Sequence, residues 1–333
     1  MLNYLARRLI LSVLTLLVII FASYVMLRLA PGDPTRSSML DSSSGVSSSE
    51  KNEYTKNESL RKKLRLDQSI LSGFYGYMQD LLHGDPGTSA TVEPGKPVTE
   101  MIVERLPVTI KLNLLAITAA YIIATAIGVY SAERSDGWFD RSSTFALFIL
   151  YSMPVMWVAL LLQSLFCAGG VWPVFPLRGV YAPPPEVGTF QAMFIEFYHY
   201  LLPAICLAYG SLAGLARYTR SNMLEILNSD FIRTARAKGV SNSGVLWVHA
   251  FRNTLITLIT LFSGLLPSLV TGSIIIEHIF NIPGMGTLSL LALSSRDYPL
   301  QMALFAFTGA LTLLGILLAD LLYTAADPRI KLQ

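Results

Sequence analysis

The stretch that decides the fold is LILSVLTLLVIIFASYVML, residues 9–27, which contains no charged residue and directly follows Arg7 and Arg8. A helix needs about 20 apolar residues to cross about 30 Å of hydrocarbon, and it satisfies its backbone hydrogen bonds internally. The run is too long for the apolar region of a signal peptide, and RLAPGDP at residues 28–34 offers no convincing small-residue cleavage site. We therefore expect residues 9–27 to form a transmembrane helix that is retained.

Five further segments have the length and composition of transmembrane helices. The six predicted spans are Leu9–Leu27, Leu112–Ala132, one within Ser142–Leu177 that Pro154 interrupts, about Phe197–Ala216 with Pro203 inside it, Asn253–Ile276 with Pro267 inside it, and about Tyr298–Ala319. Charged residues make up only 14% of the chain, against about 25% in an average soluble domain. The predicted fold class is therefore an all-α polytopic membrane protein, and the net charge of +3 is too small to suggest nucleic-acid binding.

The basic residues of the short loops predict the orientation in the membrane. With a cytoplasmic N-terminus, the outer short loops hold only Arg178 and Arg296, and the other basic residues of short loops lie inside. We therefore expect both termini to be cytoplasmic. The predicted organisation is a first helix at residues 1–30, an extracytoplasmic segment at 31–104, a transmembrane domain at 105–323 and a cytoplasmic tail at 324–333.

The extracytoplasmic segment has two parts. SSMLDSSSGVSSSEKNE at residues 37–53 is rich in serine and is typical of a flexible insert. From Ser59 onward an amphipathic pattern at helical spacing comprises Leu60, Leu64, Ile70, Leu71, Phe74, Tyr77 and Leu81. This pattern predicts either short helices that cap the outer mouth or a membrane-surface helix without a gating role, and the sequence does not decide between them.

No motif of enzymatic chemistry is present in the sequence. The Gly95-Lys96 pair is followed by Pro97 and lacks the earlier glycine of a phosphate-binding loop. The four histidines are dispersed and no H-E-x-x-H occurs; they are His83, His199, His249 and His278. Cys167 and Cys206 lie in apolar stretches, so neither a disulfide nor a cysteine metal site is expected. The sequence predicts no catalytic residue, no metal and no cofactor.

Charged residues near the predicted spans lie at the span ends, where we expect interfacial positions. They are Arg28, Lys111, Glu277, His278 and Asp320. Ion-coupled transporters place charges near the bilayer midplane instead. A path lined without charges is compatible with a substrate that another protein delivers. It is also compatible with transport that draws its energy from another protein.

The longest predicted cytoplasmic loop, about Arg217–Arg252, contains MLEILNSDFIRTARAKG at residues 223–239. Its apolar residues share one helical face, Asn228, Ser229 or Asp230 can cap a short helix, and Gly239 can end that helix with positive φ. A short helix between two spans has the shape of a lever. On composition alone, an ordinary positively charged membrane anchor is an equal alternative.

Several motifs in order resemble permease subunits of the bacterial oligopeptide/dipeptide/nickel class of ABC importers. They are RRL at Arg7, APGDP at Ala30–Pro34, YSMPVMW at Tyr151–Trp157, the loop Asp230–Gly239 with Arg252-Asn253, EHIFNIPGMG at Glu277–Gly286, RDYP at Arg296–Pro299 and DPRI at Asp327–Ile330. This resemblance implies six spans with a cytoplasmic coupling helix, the type I importer permease fold, in the bacterial inner membrane.

The resemblance also implies partners and sites. The expected partners are a second homologous permease subunit, two cytoplasmic ATP-binding subunits, an extracytoplasmic substrate-binding protein, a peptide substrate and membrane lipid. The expected coupling residues are Asp230, Phe231, Arg233, Thr234, Ala235, Arg236, Ala237, Lys238 and Gly239. The residues expected at an outer gate or binding-protein docking site are Glu277, Phe280, Pro283, Gly284 and Gly286.

The chain departs from the family pattern at three places. Arg233 occupies the position of the general motif's glutamate, Thr257 stands where span five usually has a proline, and the insert around Ser42–Ser49 is long. Gly210 and Gly214 are expected to permit close helix contact. Ala235 and Gly239 are the positions whose substitution should uncouple ATP hydrolysis from the substrate.

Alternative substrates are nickel chelates, glutathione or modified peptides. A self-sufficient channel or secondary transporter, or a scaffold or sensor without transport, are the other functions to consider.

Overall fold

The structure, a computed structural model, describes residues 2–29, 61, 65–176, 179, 187–265 and 268–326. Its helices are α1 (Leu2–Leu29), α2 (Ile70–Leu82), α3 (Val98–Glu133), α4 (Trp138–Ser152), α5 (Val155–Phe166), α6 (Thr189–Leu227), α7 (Asp230–Ala237), α8 (Arg252–Leu265), α9 (Ser268–Thr271), α10 (Ile274–Ile279), α11 (Met285–Ser294) and α12 (Tyr298–Ala326), with a π-helix at Gly244–Phe251. The all-α fold class is confirmed. The Ser-rich insert, Leu60, Leu64, Pro267 and the motif at 327–330 lie outside the described residues.

Four helices of the described residues are long and apolar enough to cross a membrane, and they cover the first, second, fourth and sixth predicted spans. They are Arg7–Leu29, Val98–Glu133, Thr189–Leu227 and Tyr298–Leu318. The third predicted span is divided at Pro154 into α4 and α5, which meet at 98°. The fifth is divided into the shorter α8, α9 and α10, so the count of six spans stays a prediction.

Helices α3 and α6 extend well beyond the apolar windows that predicted them. α3 has 36 residues with Pro107 inside it, and α6 has 39 residues with Pro203 inside it. At 1.5 Å per residue each is more than about 50 Å long, whereas the hydrocarbon core is about 30 Å thick. Polar turns at the helix ends therefore project out of the hydrocarbon, and they carry the contacts described below.

The chain forms two compact units, the first of which comprises residues 1–107 and 284–314. Its core joins the start of α3 to α11 and the first half of α12; the buried residues are Val98, Met101, Ile102, Met285, Leu288, Ala292, Leu300, Ala303 and Leu304. Within the same unit α2 packs on α1, where the ring of Phe74 lies 5.0 Å from that of Phe21 and 5.7 Å from that of Tyr24.

Asp297 links the loop before α3 to the turn between α11 and α12 within the first unit. The residue is fully buried, and its Oδ2 accepts hydrogen bonds from the Ser89 hydroxyl at 2.5 Å and from three consecutive backbone N–H groups, of residues 90–92, at 3.0–3.1 Å. Its Oδ1 accepts from the N–H of Leu300 at 3.2 Å, which caps the start of α12. One carboxylate therefore satisfies five donors.

The second unit comprises residues 108–283 and 315–333 and contains three clusters of buried apolar residues. A close approach of α3 to α6 occurs at Gly128, where an added Cβ would lie 2.8 Å from the carbonyl oxygen of Ala216. Among the described residues, no atom outside the local helix backbone lies within 4 Å of a Cβ built on Gly210 or Gly214. The described part of the chain therefore shows the close helix approach at Gly128 instead, and a role of Gly210 and Gly214 in helix contact stays a prediction.

Candidate functional site

α7 is a single two-turn helix with one buried face. Ile232 is fully buried and Ala235 is 8% exposed. The two residues are three positions apart, so they lie on the same side of the helix. Ile232 packs in a cluster with the ends of α3 and α6 and with the π-helix; the other buried members are Val129, Ala132, Met223, Val245, Leu246 and Ala250. α7 is therefore fixed to the helix ends of the second unit by its apolar face.

The two ends of α7 are terminated differently. Ser229 is the N-cap residue, and its hydroxyl donates to the carbonyl of Ile226 at 2.6 Å rather than capping the helix. At the other end the N–H of Gly239 donates to the carbonyl of Arg236, and the N–H of Val240 donates to that of Ala235. These two bonds form a Schellman motif, which requires the positive φ of +77° that Gly239 adopts. The predicted glycine-terminated helix is confirmed.

The outward face of α7 combines one aromatic ring with a surplus of basic charge. Phe231 is 49% exposed, and Asp230, Arg233, Thr234, Arg236 and Lys238 are also exposed. The ion pair between Arg233 and Asp230 is 3.4 Å long, and both side chains are exposed, so it contributes little to stability. These side chains are available to a partner, because the helix is held by Ile232 and Ala235 instead.

The segment that follows α7 is a π-helix, Gly244–Phe251. Its Trp247 ring packs edge-on against Tyr130 of α3 at 6.1 Å and against Phe251 at 5.3 Å. Buried Val245 and Leu246 lie in the same cluster as Ile232. π-Helical turns are rare and occur frequently at functional sites. The connection from α7 to α8 is therefore a continuous packed unit.

A partly buried ion pair joins α4 to α6 near the same helix ends. Arg220 of α6 donates from Nε and Nη2 to the two carboxylate oxygens of Asp140, each at 2.7 Å. The Asp140 side chain is 4% exposed, and it also accepts a hydrogen bond from the N–H of Asp136 at 2.9 Å. Two parallel bonds fix both distance and orientation. α6, which leads into α7, is thereby attached to the broken α4–α5 pair.

The second candidate site is the turn that follows α10. Glu277 is fully buried, accepts a hydrogen bond from the Thr109 hydroxyl at 3.1 Å, and offers its carbonyl to the N–H of Ile282 at 2.7 Å. Asn281 ends the helix with φ of +51°, a conformation that asparagine tolerates better than most residues. Phe280 is buried in the core of the second unit.

Comparison with known families covers almost the entire chain. Residues 1–113 match the N-terminal domain of membrane components of binding-protein-dependent transport systems. Residues 124–332 match the binding-protein-dependent transport system inner membrane component. The chain belongs to this family.

Individual permeases match along their full lengths. The oligopeptide transport system permease protein AppB of Bacillus subtilis (strain 168) is 38% identical over 328 residues, which cover 98% of this chain and 99% of the relative. The dipeptide transport system permease protein DppB of Alkalihalophilus pseudofirmus is 33% identical over 99% of this chain and 100% of the relative. The glutathione transport system permease protein GsiC of Pectobacterium atrosepticum is 32% identical over 99% of each.

In this permease the predicted coupling residues form one continuous surface element, whereas the predicted outer residues do not. The nine predicted residues lie in α7 and at its C-terminal end, and Ala235 is the one among them that is buried; Ile232, which was not predicted, is buried beside it. In the other set Glu277 and Phe280 are buried, as are Gly284 and Gly286. The Glu277 carboxylate is enclosed by its own chain, and its interfacial depth in the membrane stays a prediction. Whether this turn forms a gate or a docking surface stays a prediction.

Sequence reasoning missed the ion pair of Asp140 with Arg220 in the permease. Arg220 is one of the basic short-loop residues that indicate the cytoplasmic side. Nothing in the local sequence links it to Asp140, which lies 80 positions earlier. A signal was nevertheless present: both residues flank long apolar segments, where an unpaired charge is expensive.

Proposed function

We propose that this chain is the permease subunit of an ATP-driven importer of oligo- or dipeptides, and that α7 is its coupling helix. The observation that carries the proposal is the division of α7 into a buried apolar face and an outward face of Phe231 with basic neighbours. An aromatic side chain and arginines are the residue types that dominate the energy of protein interfaces. α7 would transmit force to the transmembrane helices through its packing against the π-helix and α6.

The partners follow from the same proposal. A second homologous permease would complete the pathway, two cytoplasmic ATP-binding subunits would contact the α7 helices, and an extracytoplasmic binding protein would deliver the peptide. Both termini and α7 would then lie on the cytoplasmic side, as the distribution of basic residues in the short loops supports. The full-length similarity to oligopeptide and dipeptide permeases supports peptides as the substrate.

Replacement of Phe231 by alanine tests the proposal directly. The ring is half-exposed, so its removal should leave the fold intact. The affinity for the ATP-binding subunits should fall by about fivefold or more, since a contact of this type contributes more than about 1 kcal/mol. The measurement is co-purification and peptide-stimulated ATP hydrolysis of the reconstituted complex. Thermal unfolding of the chain should not change.

The matched control is Phe190→Ala, which removes the same side chain from an 87% exposed position at the opposite end of α6. If the two variants show equal affinity and equal ATP hydrolysis, α7 is not the coupling helix. Phe231 is a better probe than Ala235 or Gly239. A substitution at Ala235 disturbs the buried face of α7, and a β-branched residue at Gly239 is strained at positive φ.

The turn at residues 277–286 would act at the outer end of the pathway. Glu277 and Phe280 are enclosed within the chain. Their burial favours the role of a gate, in which packed helices move together, and disfavours the role of an exposed docking surface. Exposed neighbours of the turn, such as Asn281 and His278, are the residues that would contact a binding protein.

Glutathione transport is the second candidate, because GsiC matches over nearly the full chain. Competition of labelled peptide uptake by unlabelled peptides or by glutathione, in the complete complex, separates the two substrates. Uptake by this chain alone, without ATP or partners, would instead favour a channel or secondary transporter.

A further inference from the structure

α2 has three distinct faces, which differ in how the described residues contact them. At about 100° per residue, Gly73, Phe74 and Tyr77 lie on the face that meets α1, and their contacts are with Phe21, Tyr24 and Arg28. Ser72, Gln79 and Asp80 form a polar face, where Asp80 pairs with Arg65 at 2.9 Å. The third face is an apolar stripe.

The stripe consists of Leu71, Tyr75, Met78 and Leu82, which fall within an arc of about 60° of the helix circumference. Three of its members are among the more exposed apolar side chains of the described residues: Leu71 is 71%, Tyr75 is 66% and Leu82 is 81% exposed. Single exposed apolar residues are ordinary, whereas an exposed row along three turns of a helix indicates an interaction surface.

The position of α2 on α1 indicates what covers the stripe. α1 contributes the 23-residue apolar span Arg7–Leu29, and α2 contacts it between Phe21 and Arg28. Phe21 lies about 12 Å from the end of that span at 1.5 Å per residue. Interfacial helices embed their apolar face about 5–10 Å into the boundary between headgroups and acyl chains. The contacts of α2 with Tyr24 and Arg28 fall within that depth, and its contact with Phe21 lies slightly deeper.

Arg28 supports the same placement. One amino group of its guanidinium donates to the carbonyls of Leu66 and Gln68 at 2.6 and 2.5 Å, and the other donates to the Tyr24 hydroxyl at 2.7 Å. Backbone carbonyls that precede α2 thus satisfy the charge that ends the apolar span. This arrangement suits a region where water is scarce and polar groups are satisfied internally.

We propose that α2 is a lipid-embedded interfacial helix whose stripe Leu71–Tyr75–Leu82 inserts into the headgroup–acyl boundary of the bilayer, while its Ser72–Gln79 face remains in water. The helix thereby fixes the adjoining end of α1 at the membrane surface. This inference depends on the membrane placement of α1 and not on the identity of the substrate.

Site-directed spin labelling of the full chain, assembled with its partner subunits in bilayers of phosphatidylethanolamine and phosphatidylglycerol, tests the proposal. Single cysteines replace Leu71, Tyr75 or Leu82, with Gln79→Cys on the polar face as the matched control; the native Cys167 and Cys206 are buried. Collision rates of the nitroxide are measured with oxygen, which concentrates in lipid, and with a water-soluble nickel chelate.

The ratio of oxygen to nickel collisions should exceed one at the three stripe positions and fall below one at Gln79. A ratio below one at the stripe would place it in water and overturn the proposal. Exclusion of both reagents from the stripe, in the complex or after addition of saturating binding protein, would assign it to a protein partner and overturn the proposal equally. Assembly of each variant with its partner subunits verifies that α2 still folds.

Discussion

Replacing Asp297 with alanine should release the loop of residues 88–97 from the start of α12. The carboxylate accepts hydrogen bonds from Ser89 and the three N–H groups that follow it, and it also caps α12 through Leu300. Each hydrogen bond to a charged acceptor contributes about 1.5–3 kcal/mol. Four bonds to one oxygen atom are not additive, so we expect the free energy of local opening to fall by about 3–4 kcal/mol.

Hydrogen exchange detects this change at the N–H groups of Ala90, Thr91 and Val92, which donate to the carboxylate. Since a factor of ten corresponds to about 1.4 kcal/mol, exchange of these amides should accelerate on the order of a few hundredfold. Ser89→Ala is the matched control, because it removes one of the four donors to Oδ2 and leaves the carboxylate in place. At the lower bound of about 1.5 kcal/mol its effect should be on the order of tenfold, well below that of Asp297→Ala. Unchanged exchange in Asp297→Ala would refute the assignment of Asp297 as the group that holds the loop.

The same site predicts a dependence on pH. Burial raises the pKa of Asp297, but the hydrogen bonds from Ser89 and the backbone N–H groups outweigh it, so the net pKa lies below its ordinary value. A carboxyl group with a lowered pKa in the folded state stabilises the protein above its unfolded pKa, and that stability is lost as the pH falls through the folded pKa. After correction for intrinsic exchange rates, protection of residues 90–92 should be constant between about pH 5 and 8 and decrease only below about pH 4.

Three further substitutions have expected outcomes in thermal unfolding of the purified chain. Arg296→Gly should stabilise the chain by about 0.5–1 kcal/mol, because Arg296 has φ of +52° in the turn after α11; a lower melting temperature would contradict this. Gly128→Ala should destabilise by about 1–3 kcal/mol through displacement of α3 from α6, whereas Gly210→Ala, whose Cβ meets no atom within 4 Å, should be neutral or stabilising. Arg220→Ala should cost about 3 kcal/mol by leaving the Asp140 carboxylate buried without its partner, and the double variant Asp140→Leu/Arg220→Met should recover most of that loss; equal loss in both would mean that the charge is not the cause.

Hydropathy predicted the long helices because their apolar windows exceed the thickness of the hydrocarbon core. It did not predict their ends. α3 begins at Val98 rather than near Leu112, since the polar residues between them continue the helix and an apolar scale is insensitive to them. Pro107 lies in the interior of the full helix, and α3 continues through it. The bend at Pro154 was predicted, but its angle of 98° depends on packing that the local sequence does not encode.

Helix α7, the proposed coupling helix, was readable from the sequence because its determinants are local. A Ser-Asp start, apolar residues on one face and Gly239 at positive φ all lie within about three turns. The π-helix that follows was not readable, since its register follows from Trp247 packing on Tyr130, a residue more than a hundred positions earlier. The partner of Glu277 was not readable either, because Thr109 lies 168 positions earlier in the chain.

The three charged residues that are buried in the described part of the chain bear on how transport is driven. They are Asp140, Glu277 and Asp297. Each accepts hydrogen bonds from donors of its own unit: the Arg220 guanidinium, the Thr109 hydroxyl, or the Ser89 hydroxyl with backbone N–H groups. A carboxylate that couples transport to an ion gradient must change its protonation or its bound ion during the cycle. Fixed donors oppose such a change, so these carboxylates serve as structural connections between helices. The basic residues of α7, by contrast, are exposed and face outward. The contrast between buried carboxylates with fixed donors and an exposed basic helix supports a permease that receives its energy through α7 from another subunit.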